Sequence, residues 1–170
     1  MRVVPLTRQG VFMIKSISAI IRPFIKVFDA LIPLGDLIAR IWVAQIFFTS
    51  GLVKIQSWEA TKMLFAHVYQ VPLLSPYVAA VLGTAAEIIL PIMLVLGLGG
   101  RFLIFIFFCY NAICAISYHF LWTPNGMAGL DQHINWGLLL MLMMFHGSGK
   151  WSLDHLIHKI HGHHLKLNQK

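Results

Sequence analysis

The sequence predicts an all-α integral membrane protein, a four-helix bundle with an amphipathic N-terminal helix lying at the membrane interface. Three observations carry that expectation. Of the 170 residues, 58% are hydrophobic and 11% charged, against roughly 25% charged in soluble domains, and the mean hydropathy is +0.77. Four apolar stretches, residues 37–55, 77–98, 101–121 and 131–147, approach or reach the length that crosses a bilayer. The basic residues lie mostly in the flanks and turns, where they set orientation. The net charge of +7 is therefore read as topology, and no nucleic-acid partner is expected. The expected division is a basic amphipathic segment over residues 1–36, a membrane domain over 37–147 and a basic, His-rich cytoplasmic tail over 148–170.

In the first segment Ile14, Ile17, Ile21, Phe24, Phe28 and Leu31 recur at steps of three and four, with Lys15, Arg22, Lys26 and Asp29 on another face. That spacing suits a helix in the headgroup plane, broken or bent near Pro23, or a cytosolic helix docked on the bundle. Lys15, Arg22 and Lys26 interrupt the apolar runs and no small-residue cleavage site follows, so no cleavable leader is expected.

The first span, residues 37–55, carries Arg40 near one end and Lys54 at the other. At about 100° per residue the two fall within roughly 40° of each other, with Ala44, Phe47 and Gly51 on the same stripe. Residues 56–76 are a mixed segment in which MLFAHVY suits a short amphipathic helix and VPLLSPY a turn, with Trp58 and Tyr69 at an aromatic belt. The second span holds Glu87 at its middle and Pro91 one turn on, and Gly97, Gly99, Gly100 and Arg101 make a tight reversal into the third. Asn111 sits at the middle of the third span and His119 near its end. The fourth is the shortest, with Asp131, His133 and Asn135 in its first turns.

Orientation follows from the Lys and Arg count. Arg2, Arg8, Lys15, Arg22, Lys26, Arg101, Lys150, Lys159, Lys166 and Lys170 fall on one side, and only Lys54 and Lys62 on the other. Four spans with both termini in the cytoplasm satisfy that bias.

On this topology Glu87 and Asn111 are both about 15 Å deep and Gln45 about 12 Å, at 1.5 Å per residue. A carboxyl in hydrocarbon is costly, so Glu87 is expected to face the bundle interior, with Asn111 and Gln45 as hydrogen-bond partners. Two roles fit it: a proton-relay or ligand-binding group, or a neutral acid holding helices together, with Gly83 and Thr84 allowing close approach. Lys54, His119, Asp131, His133 and Asn135 form an outer group, read as a polar network or a small-ligand mouth; a metal site from His119, His133 and Asp131 is the alternative, though the spacing is not diagnostic. Arg40 and Arg101 sit at the cytoplasmic end, either orienting an anionic substrate or snorkelling to phosphates. His155, His158 and His161 in the tail suit either a metal or an interfacial helix.

Cys109 and Cys114 lie five apart in one apolar stretch, too far round a helix to bridge, and are read as packing residues. The chain has no P-loop, GxSxG, CxxC or dinucleotide fingerprint, which leaves nucleotide hydrolysis and dithiol chemistry unsupported.

The order of Arg40, then Gly51 and Lys54 in GLVK, then Glu87, then GLGGR from Gly97 to Arg101 resembles the DoxX family of small bacterial and archaeal membrane proteins, over residues 37–147. The resemblance implies a multi-pass protein of the bacterial cytoplasmic (inner) membrane. It also implies a component of a membrane redox system, in quinone-linked oxidation of a sulfur compound or in oxidative-stress handling. A quinone is then the implied cofactor, and a soluble or membrane redox protein the implied partner beside the bilayer, with homo-oligomers also open. The catalytic role falls to Glu87, and ligand binding to Arg40, Gln45, Lys54, Asn111, His119, Asp131, His133 and Asn135. The reading set against it is a noncatalytic scaffold or small-solute conduit built from the same residues.

Overall fold

The computed structural model describes residues 8–147, 149 and 151–167, and side chains over 21–147, 149 and 151–160. Arg2, Lys150 and Lys170 of the charge count lie outside the described residues, as do the side chains of Arg8, Lys15, His161, His163, His164 and Lys166. The described chain is helical: α1 (Arg8–Gln56), α2 (Trp58–His67), α3 (Pro76–Leu96), α4 (Gly100–Ser117), a 3-10 turn (His119–Trp122), α5 (Met127–His146) and α6 (Leu153–Leu167). It divides into two compact units, residues 1–35 and 36–170.

Of the two alternatives at Pro23, a break or a bend, the break does not occur. The helix is assigned continuously through Pro23 and Pro33, with no break at either. Each proline removes one backbone donor, which costs a helix locally but does not by itself end it when neighbouring turns stay bonded. Ile21, Phe24, Phe28 and Leu31 are all exposed, as are Arg22, Lys26 and Asp29.

Three helices among the described residues are long and apolar enough to cross a membrane: Ile21–Gln56 within α1, Pro76–Leu96 and Gly100–Ser117. α5 is not among them although it has 20 residues. It starts at Met127, so Asp131, Gln132, His133 and Asn135 fall inside the helix and dilute its apolar run. The core still draws on four helices: Val43, Ala44 and Phe47 of α1, Leu90 and Leu94 of α3, Leu103, Ile104 and Phe107 of α4, and Leu140 and Met143 of α5. Phe47 sits at its centre, edge-on to Phe107 at 4.9 Å and to Trp136 at 5.5 Å. Outside it, Leu82, Ile89, Phe102, Phe105 and Leu142 are exposed. Outward apolar faces of this kind suit acyl chains, so the apolar helices point to a lipid bilayer as the surroundings.

The ends of the elements have local causes. α3 stops at Gly97, whose φ of +66° places it in the left-handed region; Gly97 N and Leu98 N donate to Leu94 O and Met93 O, closing the helix end. α4 ends at Ser117, four residues short of the expected 121, and Trp122 Nε1 caps the end by donating to Ala115 O at 2.9 Å. His119 therefore belongs to the 3-10 turn and not to a spanning helix. The predicted short helix after the first span is α2, which begins at Trp58 and packs Phe65 against Ala79 and Ala80 of α3.

The tail does more than trail into solvent. Arg40, 2% exposed, donates from Nη2 to Trp151 O at 3.0 Å and from Nε to Asp36 O at 3.2 Å. Asp154 N donates to Gly97 O at 3.4 Å, so the start of α6 is tied to the end of α3 beside Arg40 of α1.

Candidate functional site

The site grows from a close approach between α1 and α3. A Cβ built on Gly51 would lie 2.8 Å from Ile88 Cδ1 and 3.0 Å from Glu87 Cβ, so glycine leaves the room that this close approach uses. Lys54 follows Gly51 by one turn on the same stripe and so arrives beside Glu87. Lys54 Nζ donates to Glu87 Oε2 at 2.6 Å, to Glu87 Oε1 at 2.8 Å and to Ser50 Oγ at 2.7 Å. The two side chains are 11% and 8% exposed. An ammonium has three N–H donors, and all three are used.

This overturns one expectation: Lys54 does not stand in an outer layer with His119, Asp131 and Asn135, because its ammonium reaches Glu87. Counting depth along one helix put Lys54 at the water, but α2 folds over that end: Thr61 Oγ1 donates to Lys54 O at 3.0 Å, and Phe65 Cζ lies 3.1 Å from where a Gly83 Cβ would stand. Covered from outside, the flexible lysine stem turns inward, where a carboxylate repays part of its desolvation.

Asn111 and Gln45 are not the partners of Glu87. Gln45 is exposed. Asn111, 4% exposed, donates from Nδ2 to the backbone oxygen of His133 at 2.9 Å, and its Oδ1 lies 2.9 Å from His133 Nδ1. Gly137 makes room for that amide, since a Cβ there would stand 3.2 Å from Nδ2. His133 is thus drawn out of the predicted outer group and packed edge-on to Trp136 at 4.9 Å. His119, Asp131 and Asn135 remain exposed and do not join it. Among the described residues no group of three His, Cys, Asp or Glu side chains is placed to hold a metal ion. Arg40 lies apart, at the end of α3 with Trp151.

Lys54, Glu87 and His133 all line one cavity of about 580 Å³. Its walls are mainly apolar, with Ile46, Phe47, Phe65, Val71, Leu82 and Ile113, and its polar groups come from all sides: Ser50, Tyr69, Tyr110, Cys114, Ser117 and Tyr118. Tyr110 Oη donates to Gly83 O at 3.0 Å. Ser117 is 3% exposed, and its Oγ has no hydrogen-bond partner among the described residues. In the loop covering α3, burial pushes the Tyr69 phenol above its ordinary value, with Tyr118 and Glu87 adding to the shift.

Sequence reasoning missed these six polar residues. The signal was nonetheless present: Tyr110, Cys114 and Ser117 step by four and three and so share a helix face, and Ser50 and Lys54 are four apart. Cys114 was read as packing alone, whereas it lines the cavity as a free thiol. A volume of this size, apolar with a few convergent polar groups, is the ordinary form of a small-molecule site.

The DoxX family model matches residues 35–120, just over half of the 170 residues. That match spans the stripe from Arg40 to Lys54, Glu87 and most of the cavity wall. No curated protein and no solved structure matches the chain.

Proposed function

The chain belongs to the DoxX family, and from that premise we propose that it binds a quinone-like, lipid-soluble molecule in the cavity beside Lys54 and Glu87, as a component of a membrane redox system. The observation that carries the reading is a buried ion pair on the wall of an apolar cavity of about 580 Å³. The apolar wall suits an occupant that arrives from the bilayer, and the volume suits a ring system with a short substituent. A bound quinone supplies a two-electron, two-proton couple. The residues present fit that chemistry. Lys54 places positive charge beside an oxygen that gains electron density, and Glu87 holds or gives up a proton at its carboxyl.

Electrons must come from a partner, because the sequence offers no haem ligand pair, iron–sulfur motif or reactive dithiol. Thiosulfate-like sulfur compounds, oxidised through a partner protein, are the donors this family reading favours. The same reading places the chain in the bacterial inner membrane with α5 as a fourth span, both termini cytoplasmic and the exposed apolar face of residues 21–32 at the headgroups. His119, Asp131 and Asn135 then serve at most as rim groups for solutes or partners, and Gln45, exposed within α1, lies outside the cavity lining.

One observation favours the second reading, a noncatalytic scaffold. All three donors of Lys54 are already satisfied, so the pair is complete without an occupant and pins α1 to α3 by itself. An occupant that engages Lys54 must displace one carboxylate contact. Purification in mild detergent followed by mass spectrometry of extracted lipids separates the readings. A quinone retained by the wild-type chain and lost in Glu87→Gln supports the first; a folded chain that retains no redox-active molecule sinks it.

A further inference from the structure

The Asn111–His133 pair fixes more than packing. Asn111 Nδ2 faces a backbone carbonyl, that of His133, at 2.9 Å. A carbonyl only accepts, so the amide nitrogen must be on that side and Oδ1 on the other. Oδ1 then faces His133 Nδ1 at 2.9 Å. An amide oxygen also only accepts, so the hydrogen of this contact belongs to Nδ1. In the neutral imidazole one nitrogen carries the hydrogen and the other a lone pair, and the bond made by the first decides which. Asn111 is buried at 4% exposure and both polar atoms of its amide are engaged by His133, so two hydrogen bonds hold the orientation.

His133 lines the cavity. With Nδ1 committed to Asn111, the nitrogen left for an occupant is Nε2, which has no hydrogen-bond partner among the described residues. We propose that His133 offers the Nε2 lone pair as the hydrogen-bond and proton acceptor for a hydroxyl of the cavity's occupant, and that Asn111 is the positioning residue that sets this tautomer. The proposal rests on the reading of the cavity as a ligand site. It goes beyond it by naming the chemistry of the second pole: Lys54 donates to an oxygen at one wall, and His133 accepts from a hydroxyl at another. The occupant class is then an apolar ring bearing a hydroxyl, the reduced or phenolic form, in preference to one bearing only carbonyl or ether oxygens.

Two measurements on the full chain in detergent test this. The first uses 15N-labelled histidine and NMR, with the His133 signals identified as those lost in His133→Phe. The expected result is a protonated Nδ1 and a bare Nε2, and the pattern is expected to be lost in Asn111→Leu, which has no acceptor oxygen for Nδ1. A hydrogen on Nε2 in the wild-type chain overturns the proposal. The second compares binding of 2-naphthol with 2-methoxynaphthalene, which differ in the one hydrogen that His133 would accept. The wild-type chain is expected to prefer the naphthol by about tenfold, the size of one good hydrogen bond, and His133→Phe to bind both alike. Equal binding by the wild-type chain overturns the role of His133 alone. Failure of both probes to bind, with the bare Nε2 observed, overturns instead the ligand-site reading beneath it.

Discussion

Lys54 Nζ lies 2.6 Å from Glu87 Oε2, joining α1 to α3 across 33 residues of sequence in a setting where both side chains are nearly closed to solvent. A pair so placed is held by mutual need more than by surplus attraction, since desolvation offsets much of the Coulombic gain.

Single and paired substitutions should therefore differ sharply. Lys54→Met leaves a lone buried carboxylate and Glu87→Gln a lone ammonium, and each is expected to lower stability by about 3–5 kcal/mol. The double variant removes both charges and is expected to recover most of that loss, giving a coupling of about 2 kcal/mol or more. Thermal denaturation of the four chains in one detergent measures the cycle. Strictly additive losses would show that the pair is not a unit.

Gly51 sets the distance over which that pair can form. Alanine there would meet Ile88 Cδ1 at 2.8 Å and Glu87 Cβ at 3.0 Å; the isoleucine tip can swing away, while the Glu87 Cβ is fixed to its helix. Gly51→Ala should be tolerated at modest cost. Gly51→Val adds bulk that neither neighbour can absorb and should cost about 1–3 kcal/mol, part of it by drawing Lys54 off Glu87. Melting midpoints of the two variants decide the order, and a valine variant as stable as wild type would contradict the close approach.

Arg40 has a different task from Lys54 despite sharing its stripe. Its guanidinium spans two carbonyls at once, Asp36 O and Trp151 O, a fork that an ammonium does not reproduce. Arg40→Lys and Arg40→Met should both release the segment over 151–156, seen as faster hydrogen exchange at the Asp154 amide that bonds Gly97 O. Exchange around Glu87 should stay as in wild type. Unchanged protection of Asp154 in both variants would remove Arg40 as the tie.

Much of this was legible from apolar runs and helical steps. The stripe through Arg40, Ala44, Phe47, Gly51 and Lys54 was read correctly as one face, and Arg40, Ala44, Phe47 and Gly51 on it are indeed buried. The partners were not legible. Depth counted along an isolated helix assumes that its end meets water, and α2, bonded back to Lys54 through Thr61 and packed on α3 through Phe65, breaks that assumption. Asn111 and His133 were both singled out yet assigned to different layers. α5 begins at Met127 and not Asp131, which carries His133 a turn further into the helix than the apolar run alone implied.

Tyr69 offers a test by pH that lies outside the spanning helices. Burial, then the neighbouring Tyr118 and Glu87, raise its phenol above the ordinary 10.0, so the folded chain keeps the proton after the unfolded chain has lost it. A group whose folded value is raised stabilises the fold fully below the unfolded value, and that contribution disappears as pH climbs through the folded one. Stability should thus be insensitive to Tyr69 ionisation near neutrality and fall as pH passes upward through 10. Lysines titrate in the same region, so the comparison that isolates Tyr69 is the slope of melting midpoint against pH for wild type against Tyr69→Phe. The phenylalanine chain should show the shallower fall. Equal slopes would mean that the phenol meets water as freely folded as unfolded, and that the loop over α3 does not close this side of the cavity.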